Sequence, residues 1–336
     1  MTLMEAETRE IPAAVARFLA ANDAAIADLG QRWRTDPPAL LATCARGSSD
    51  HAATYGKYLI ETLVGVPVTS VAPSVASLFA APVLTAKAVM VAVSQSGRSP
   101  DLLATVDAWA TAGMPVVALV NDAASPLAAK ADTPLPLMAG PERSVAATKS
   151  CIAAMAGFAA LAAAWSRDAA LAAAVADLPR TLAAALALDW RAGIEPLRHA
   201  ERLFVIGRGY GQGIAQEAAL KLKETCAIQA EAFSAAEVRH GPMTIVTQGF
   251  PIVALATSDA AGADVVQVAR DFAERGATVL LARPGEGGGL PAIAAHPAIE
   301  PILMLASFYG LAERLSRARG RDPDRPPGLS KVTLTR

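Results

Sequence analysis

Residues 221–242 read KLKETCAIQAEAFSAAEVRHGP, and they gather Glu224, Glu231, Glu237 and His240 in a chain that has four histidines in all. A carboxylate partly withdrawn from water can act as a base, and an imidazole titrates near neutral pH, so the stretch has the residue types for proton transfer. Glu217, Lys221 and Glu224 fall at i, i+4 and i+7 of a helical pattern and share one face, while Ile214, Ala218 and Leu222 form another. On a solvated helix such pairing contributes only about 0.3–0.5 kcal/mol. The following segment, CAIQAEAFSAAEVRHGP, is poor in large apolar residues, and Gly241-Pro242 ends regular structure directly after His240. An ordered loop carrying polar groups is expected there, with Glu231 and Glu237 as loop-ordering residues.

A second candidate is SQSGRSPD, Ser94 to Asp101, where an apolar strand hands over to a helix. Ser99 suits the N-cap and Pro100 the first helical position, so the free N–H groups of the first turn would face the mouth of the loop. Hydroxyls of Ser94, Ser96 and Ser99, with the Gln95 amide, would add neutral donors around a phosphate. An ordinary capped turn is the alternative.

The elements that position these residues are written twice. Between about residue 36 and residue 320, apolar runs of strand length such as LLATCARGSS, AVMVAVSQSG and MPVVALVND alternate with helical patterns. Such alternation predicts a parallel sheet covered by helices on both faces. ARGSSDHAATYGKYLIE, from Ala45, has a counterpart in GRGYGQGIAQEAALKLKE, from Gly207, which lays Arg46-Gly47 over Arg208-Gly209 at an offset of 162. Further on, Gly113 lies over Gly276 at an offset of 163, and TSDAAGAD puts Asp259 over Ser96. A carboxylate at that place would repel phosphate, so one phosphate site is expected, in the first copy. The chain is thus read as an N-terminal helical segment (1–35), a first α/β domain (36–167), an Ala-rich helical linker (168–195), a second domain (196–322) and a tail (323–336). Gly207, Gly209, Gly211 and Gly213 open the second copy's helix, but Gln212 or Ile214 stands where a dinucleotide fingerprint needs its third glycine, so no NAD site is predicted.

Composition bounds the partners. In 336 residues, 53% hydrophobic and 18% charged, 30 Lys and Arg balance 31 Asp and Glu, so no net field draws the chain toward nucleic acid or an anionic membrane. A small or neutral partner fits better. Cys44, Cys151 and Cys226 are widely spaced and odd in number, which argues against a disulfide framework and a zinc site and for a reducing, cytoplasmic compartment. MTLMEAETREIP has no apolar signal region. Ser150 to Ser166 approaches membrane-span length, but it is about half Ala and reads as a buried helix.

Five motifs in order, ARGSSDHAATYGKYLIE, VSQSGRSPDLL, GPERSVAATKS, GRGYGQGIAQEAALKLKETCAIQAEAFSAAEVRHGP and DPDRPPGLSKVT, resemble the isomerase half of glucosamine-6-phosphate synthase and its stand-alone relatives, the double sugar-isomerase (SIS) domain proteins. The similarity runs from about residue 35 to the C-terminus. It implies two tandem flavodoxin-like SIS domains, each a parallel sheet with helices on both faces. It implies that Ser49, Ser94, Gln95, Ser96 and Ser99 surround a sugar phosphate, and that Ser48, Val145 and Ala147 line the sugar. Glu224 would move a proton between C1 and C2, accompanied by Lys221. His240 would open the sugar ring, reaching in from the other subunit of a homodimer, and Lys331 would close over the ketose and form a Schiff base. No metal or redox cofactor is implied, and neither nucleic acid nor membrane is an expected partner. Two departures stand out: Ala147 replaces a Ser of the synthases, and Arg98 replaces an acidic residue, either adding positive charge or facing water. A synthase carries an N-terminal glutamine-processing domain for which MTLMEAET leaves no room before residue 35, so the expectation is an isomerising deaminase that takes glucosamine 6-phosphate to fructose 6-phosphate and ammonia. A fructosamine-phosphate deglycase, a glutamine-independent synthase-type activity and a non-catalytic sugar-phosphate sensor remain the alternatives.

Overall fold

In the computed structural model, which describes residues 1–83, 87–285, 287 and 289–331, the alternation in the sequence becomes two parallel sheets. The first contains β1 (Leu40–Cys44), β2 (Val68–Ser70), β3 (Ala88–Ser94), β4 (Val116–Val120) and β5 (Thr133–Pro136). The second contains β6 (Arg202–Gly207), β7 (Gln229–Ser234), β8 (Pro251–Leu255), β9 (Thr278–Pro284) and β10 (Leu290–Ala292). Among the described residues each sheet has five strands, in the orders β2-β1-β3-β4-β5 and β10-β9-β8-β6-β7. Read in each copy's own chain order, both are 2-1-3-4-5, and every pairing is parallel. β3 and β4 are buried along their whole length, the signature of strands covered on both faces. The expected α/β fold with two repeated units is therefore observed.

The repeat extends to side chains. Arg46 donates to the Asp101 carboxylate from Nε at 3.0 Å and from its second amino nitrogen at 2.6 Å. In the second copy Arg208 pairs with Asp264, the positions reached by the same two offsets. The helices carrying these aspartates, Pro100–Thr111 and Ala260–Glu274, end in register, but the second begins one turn earlier.

Two compact units result, and each draws on more than one stretch of chain. The first sheet's unit comprises Ala13–Glu142 and Lys149–Ala176 with Ser330 and Lys331, whereas Met1–Pro12 and Arg143–Thr148 pack with Asp177–Leu329 around the second sheet. This departs from the contiguous boundaries read from periodicity, because the short helix Leu3–Arg9 buries Met4 and Glu7 in the second unit while Ile11–Thr35 continues into the first. Residues 168–195 contain the helices Ala169–Ala176 and Leu178–Leu186 and are divided between the units at Asp177. Of the tail, residues 332–336 lie outside the described residues.

In the first unit Met90, Val106, Trp109 and Leu127 pack around β3, and in the second Phe204 meets Phe233 and Phe250 with ring centroids 4.8 and 4.9 Å apart. Among the described residues one helix, Lys149–Ser166, is long and apolar enough to cross a membrane, and 89% of it is buried within the protein, as its Ala content suggested. The expected loop after Glu224 differs: Gln229–Ser234 forms the edge strand β7 beside β6, followed by a 3-10 turn, Glu237–Arg239. Alanine at Ala230 and Ala232 hides the alternation, since its strand preference is weak and backbone pairing to β6 decides the conformation.

Candidate active site

Neighbouring parallel strands β1 and β3 bring two serine-bearing turns to the carboxyl ends of the first sheet's strands. Ser48 and Ser49 open the helix Ser48–Leu63, and the loop after Ser94 carries Gln95, Ser96 and Ser99, all half-buried. The Arg46–Asp101 pair ties the two turns together, with Asp101 fully buried. The loop closes on itself: Ser94 Oγ accepts the Gly97 N–H at 2.9 Å, and the Arg98 N–H reaches Ser96 Oγ at 3.4 Å. Gly97 sits at φ +64°, and a Cβ there would lie 2.3 Å from Ser125 Oγ, so the turn needs glycine.

Donors at the mouth of this loop differ from those expected. Ser99 is the N-cap residue, but its hydroxyl makes no capping bond. Pro100 has no N–H, and the Leu102 N–H is taken by the Asp101 carboxylate at 2.8 Å, so the helix terminus offers fewer free donors than a bare first turn. Arg98 turns outward and pairs with Asp122 at 2.8 Å, in the exposed position that the sequence left open. In the second copy the extra helical turn takes in the positions that match Gly97 to Ser99. Asp259 caps that helix, accepting the Gly262 N–H at 3.0 Å, and a Cβ on Gly262 would strike the Thr257 carbonyl. Glu300 accepts the Ser258 N–H at 2.7 Å beside it, and burial raises its carboxyl above the ordinary value. Asp259 thus places a carboxylate where the first copy has Ser96, with Glu300 beside it.

The second unit holds the acid–base cluster. On the helix Gln212–Cys226, Lys221 Nζ lies 2.5 Å from Glu224 Oε2 and 3.3 Å from Glu217 Oε1, and Tyr309 donates to Glu217 Oε1 at 3.2 Å. The side chains of Lys221 and Glu217 are each 1% exposed, whereas Glu224 is 20% exposed. This is no solvated face: the helix Glu300–Ala318 covers it and supplies Tyr309. Glu224 Oε1 has no hydrogen bond among the described residues, so one oxygen is oriented by the buried ammonium and the other is left without a partner there.

His240 is exposed on the turn after Glu237–Arg239, and its backbone N–H donates to the Glu237 carbonyl at 2.9 Å. The side chains of Glu231 and Glu237, expected to order this segment, make no hydrogen bond or ion pair among the described residues. Arg239 does so instead, reaching Asp264 at 3.0 Å and Asp271 at 3.3 Å on the helix Ala260–Glu274.

Profile comparison matches the SIS domain over residues 41–164 and 196–282, which include most strands of both sheets but not β10. The chain belongs to the SIS-domain family. Among relatives, it is 34% identical over 310 residues to the isomerizing glutamine–fructose-6-phosphate aminotransferase of Aeropyrum pernix, with 85% of this chain and 49% of that protein covered. It is also 34% identical over 313 residues to the Symbiobacterium thermophilum enzyme of that name, covering 87% and 51%. The chain therefore spans about half the length of the relatives it matches. A provisionally named phosphosugar isomerase from Silicibacter pomeroyi DSS-3 superposes with a TM-score of 0.91 at 42% identity, over 96% of this chain and 100% of that one. The C-terminal domain of glucosamine-fructose-6-phosphate aminotransferase from Francisella tularensis shares the fold at 24% identity, with a TM-score of 0.86 over 97% and 98%.

Within this SIS-domain chain, the remaining expected residues fall on two loops. Val145 and Ala147, both half-buried, lie in the segment Arg143–Thr148 of the second unit, and Ala147 offers no polar side-chain group. Lys331, in the first unit, sits 3.3 Å from Glu142 Oε2. Glu142 is buried and also accepts the Ser150 N–H at 3.1 Å and the Ser150 hydroxyl at 2.6 Å. Neither Glu142 nor Tyr309 was singled out from the sequence. Glu142 could have been, as an acid inside GPERSVAATKS; nothing local marks Tyr309.

Proposed function

We propose that this protein is an amino-sugar-phosphate isomerase and deaminase that converts glucosamine 6-phosphate to fructose 6-phosphate and ammonia. The observation that carries the reading is Glu224, a partly exposed carboxylate with one oxygen fixed by buried Lys221 and one left open. In the open-chain sugar Glu224 takes the C2 proton, the electron pair shifts toward C1, and the same carboxyl returns the proton to C1. The product is the C2 imine. Water adds to it and ammonia leaves, which balances the reaction without an oxidant. Ser49, Gln95, Ser96 and Ser99 bind the 6-phosphate, supported by a loop whose carboxylate, Asp101, is paired with Arg46 and which has Ser96 where the second copy has Asp259; Ser94 shapes that loop. Ser48 and the backbone of Val145 and Ala147 line the sugar. His240 serves ring opening from the partner subunit of a cytoplasmic homodimer, supported by its exposure on an ordered turn. Lys331, once released from Glu142, is the amine that engages the ketose.

The test is incubation of the purified chain with glucosamine 6-phosphate, without glutamine, while fructose 6-phosphate and ammonia are measured. Both should appear, and Glu224→Gln should lower turnover and C2 hydrogen exchange by roughly 10²–10⁴-fold with binding retained. Mixed dimers of Glu224→Gln and His240→Asn subunits should regain activity. Binding with no product would mean a sensor, and turnover of a fructosamine phosphate alone would mean a deglycase.

A further inference from the structure

The N-terminal helix Leu3–Arg9 lies outside the stretches matched to the SIS domain, yet it carries a buried acid that the chemistry above does not use. Glu7 is 5% exposed. Its carboxylate accepts the backbone N–H groups of Arg143 and Ser144, the latter at 3.3 and 3.4 Å from its two oxygens. Those amides open the segment Arg143–Thr148 that bears Val145 and Ala147. A second acid grips the same helix from the tail. Asp324 accepts the N–H of Leu3 at 2.6 Å and of Met4 at 2.7 Å, while its own carbonyl accepts the Val145 N–H at 3.5 Å. Thr2 completes the attachment: its hydroxyl donates to Glu313 at 3.0 Å and accepts the Glu5 N–H at 3.1 Å.

Three chain segments, the N-terminal helix, the 143–148 loop and the tail around Asp324, thus meet through two carboxylates and backbone donors, all within the second unit. Each side chain contacts main-chain N–H groups, so it constrains backbone conformation in its neighbour rather than another side chain's position. Lys331 follows Asp324 by seven residues.

We propose that Glu7 and Asp324 form a clasp that positions the 143–148 loop for the sugar, making them positioning residues of the reaction. This rests on the reading that the loop lines a hexose 6-phosphate. The clasp predicts an asymmetric pattern: loss of the Glu7 carboxylate frees the loop, whereas loss of the Asp324 carboxylate frees the N-terminal helix and, through it, the loop.

Hydrogen exchange read by mass spectrometry on the full chain tests the clasp directly, with peptides covering residues 3–9, 141–149 and the β3 and β8 strands. Glu7→Ala should raise exchange across 141–149 by about tenfold or more and leave the strands unchanged. Asp324→Ala should raise it in both 3–9 and 141–149. Glu7→Gln, which keeps one acceptor and the side-chain volume, should give an intermediate result and guards against a folding failure in the alanine variant. With glucosamine 6-phosphate as substrate, Glu7→Ala should raise KM about tenfold while kcat changes less than about threefold, and Glu7→Gln should recover part of the loss. Unchanged exchange in 141–149 would overturn the clasp. Faster exchange with an unmoved KM would overturn the positioning role, leaving a purely structural contact. If the wild-type chain binds neither glucosamine 6-phosphate nor fructose 6-phosphate by calorimetry, the proposed function fails and the positioning role falls with it, a result read on wild type alone.

Discussion

Replacement of Lys221 by Met tests the buried charge cluster, because it keeps most of the side-chain volume and removes only the ammonium. Glu217, 1% exposed, then loses the ammonium while keeping the Tyr309 hydroxyl at 3.2 Å. Breaking a buried ion pair from one side costs about 3–5 kcal/mol, since the stranded charge cannot recover its hydration. Glu224, at 20% exposure, can turn toward water and adds little to that cost. For a unit of this size each kcal/mol moves the transition by about 2–4 °C, so Lys221→Met should lower Tm by roughly 6–20 °C. Adding Glu217→Gln removes the stranded charge while keeping an acceptor for the Tyr309 hydroxyl. The double variant should therefore recover about half or more of the loss, a coupling on the order of 1–3 kcal/mol. Thermal and urea unfolding of the single variants and the pair supply the cycle. A Tm shift under about 1 °C for Lys221→Met, or strictly additive effects in the pair, would refute the reasoning by showing that water already reaches the ammonium.

Two other expectations concern the first unit's loop and the thiols. Gly97→Ala forces a Cβ into the space of Ser125 Oγ at a positive φ, and should weaken binding of a hexose 6-phosphate at least about tenfold while costing about 1–3 kcal/mol of stability. Calorimetry with fructose 6-phosphate checks this, and wild-type affinity in the variant would remove the loop from phosphate recognition. Burial pushes the Cys44 thiol up to about 12 and the Cys226 thiol up to about 11. Both stay protonated at pH 8, so alkylation in the native protein should be slower than in the unfolded chain by a factor on the order of 10² or more. Rapid native modification of either cysteine, mapped by peptide mass, would contradict the burial.

How much of the candidate site could be read in advance depended on whether its geometry was local. The serine loop was legible because one octapeptide contains the strand end, the N-cap residue and Pro100. Its donors were misjudged because Asp101 belongs to the loop and to a pair with Arg46, which lies 55 residues away. Asp259 was correctly laid over Ser96 by the repeat, but its role as a helix cap emerged only from the extra turn beginning at Ala260. The segment after Cys226 was read as a loop because alternation through alanine has no hydrophobic contrast. Pairing with β6 made its first half a strand, and Arg239, not Glu231 or Glu237, holds its second half.

By itself, the sequence determined the two copies of a parallel α/β unit, since a period of 162 to 163 residues and fully apolar strands leave few other ways to bury that surface. It also determined that Glu217, Lys221 and Glu224 share a helix face, because helical spacing is a covalent property of the chain. Whether that face meets water or protein is not a local property. The tertiary structure decided it by laying the helix Glu300–Ala318 over Lys221, which turns weak surface pairs into a desolvated cluster with one open oxygen. It decided likewise that Glu7 and Asp324, more than 300 residues apart, meet one helix and one loop, because long-range hydrogen bonds form only where the folded core has already brought the backbone together.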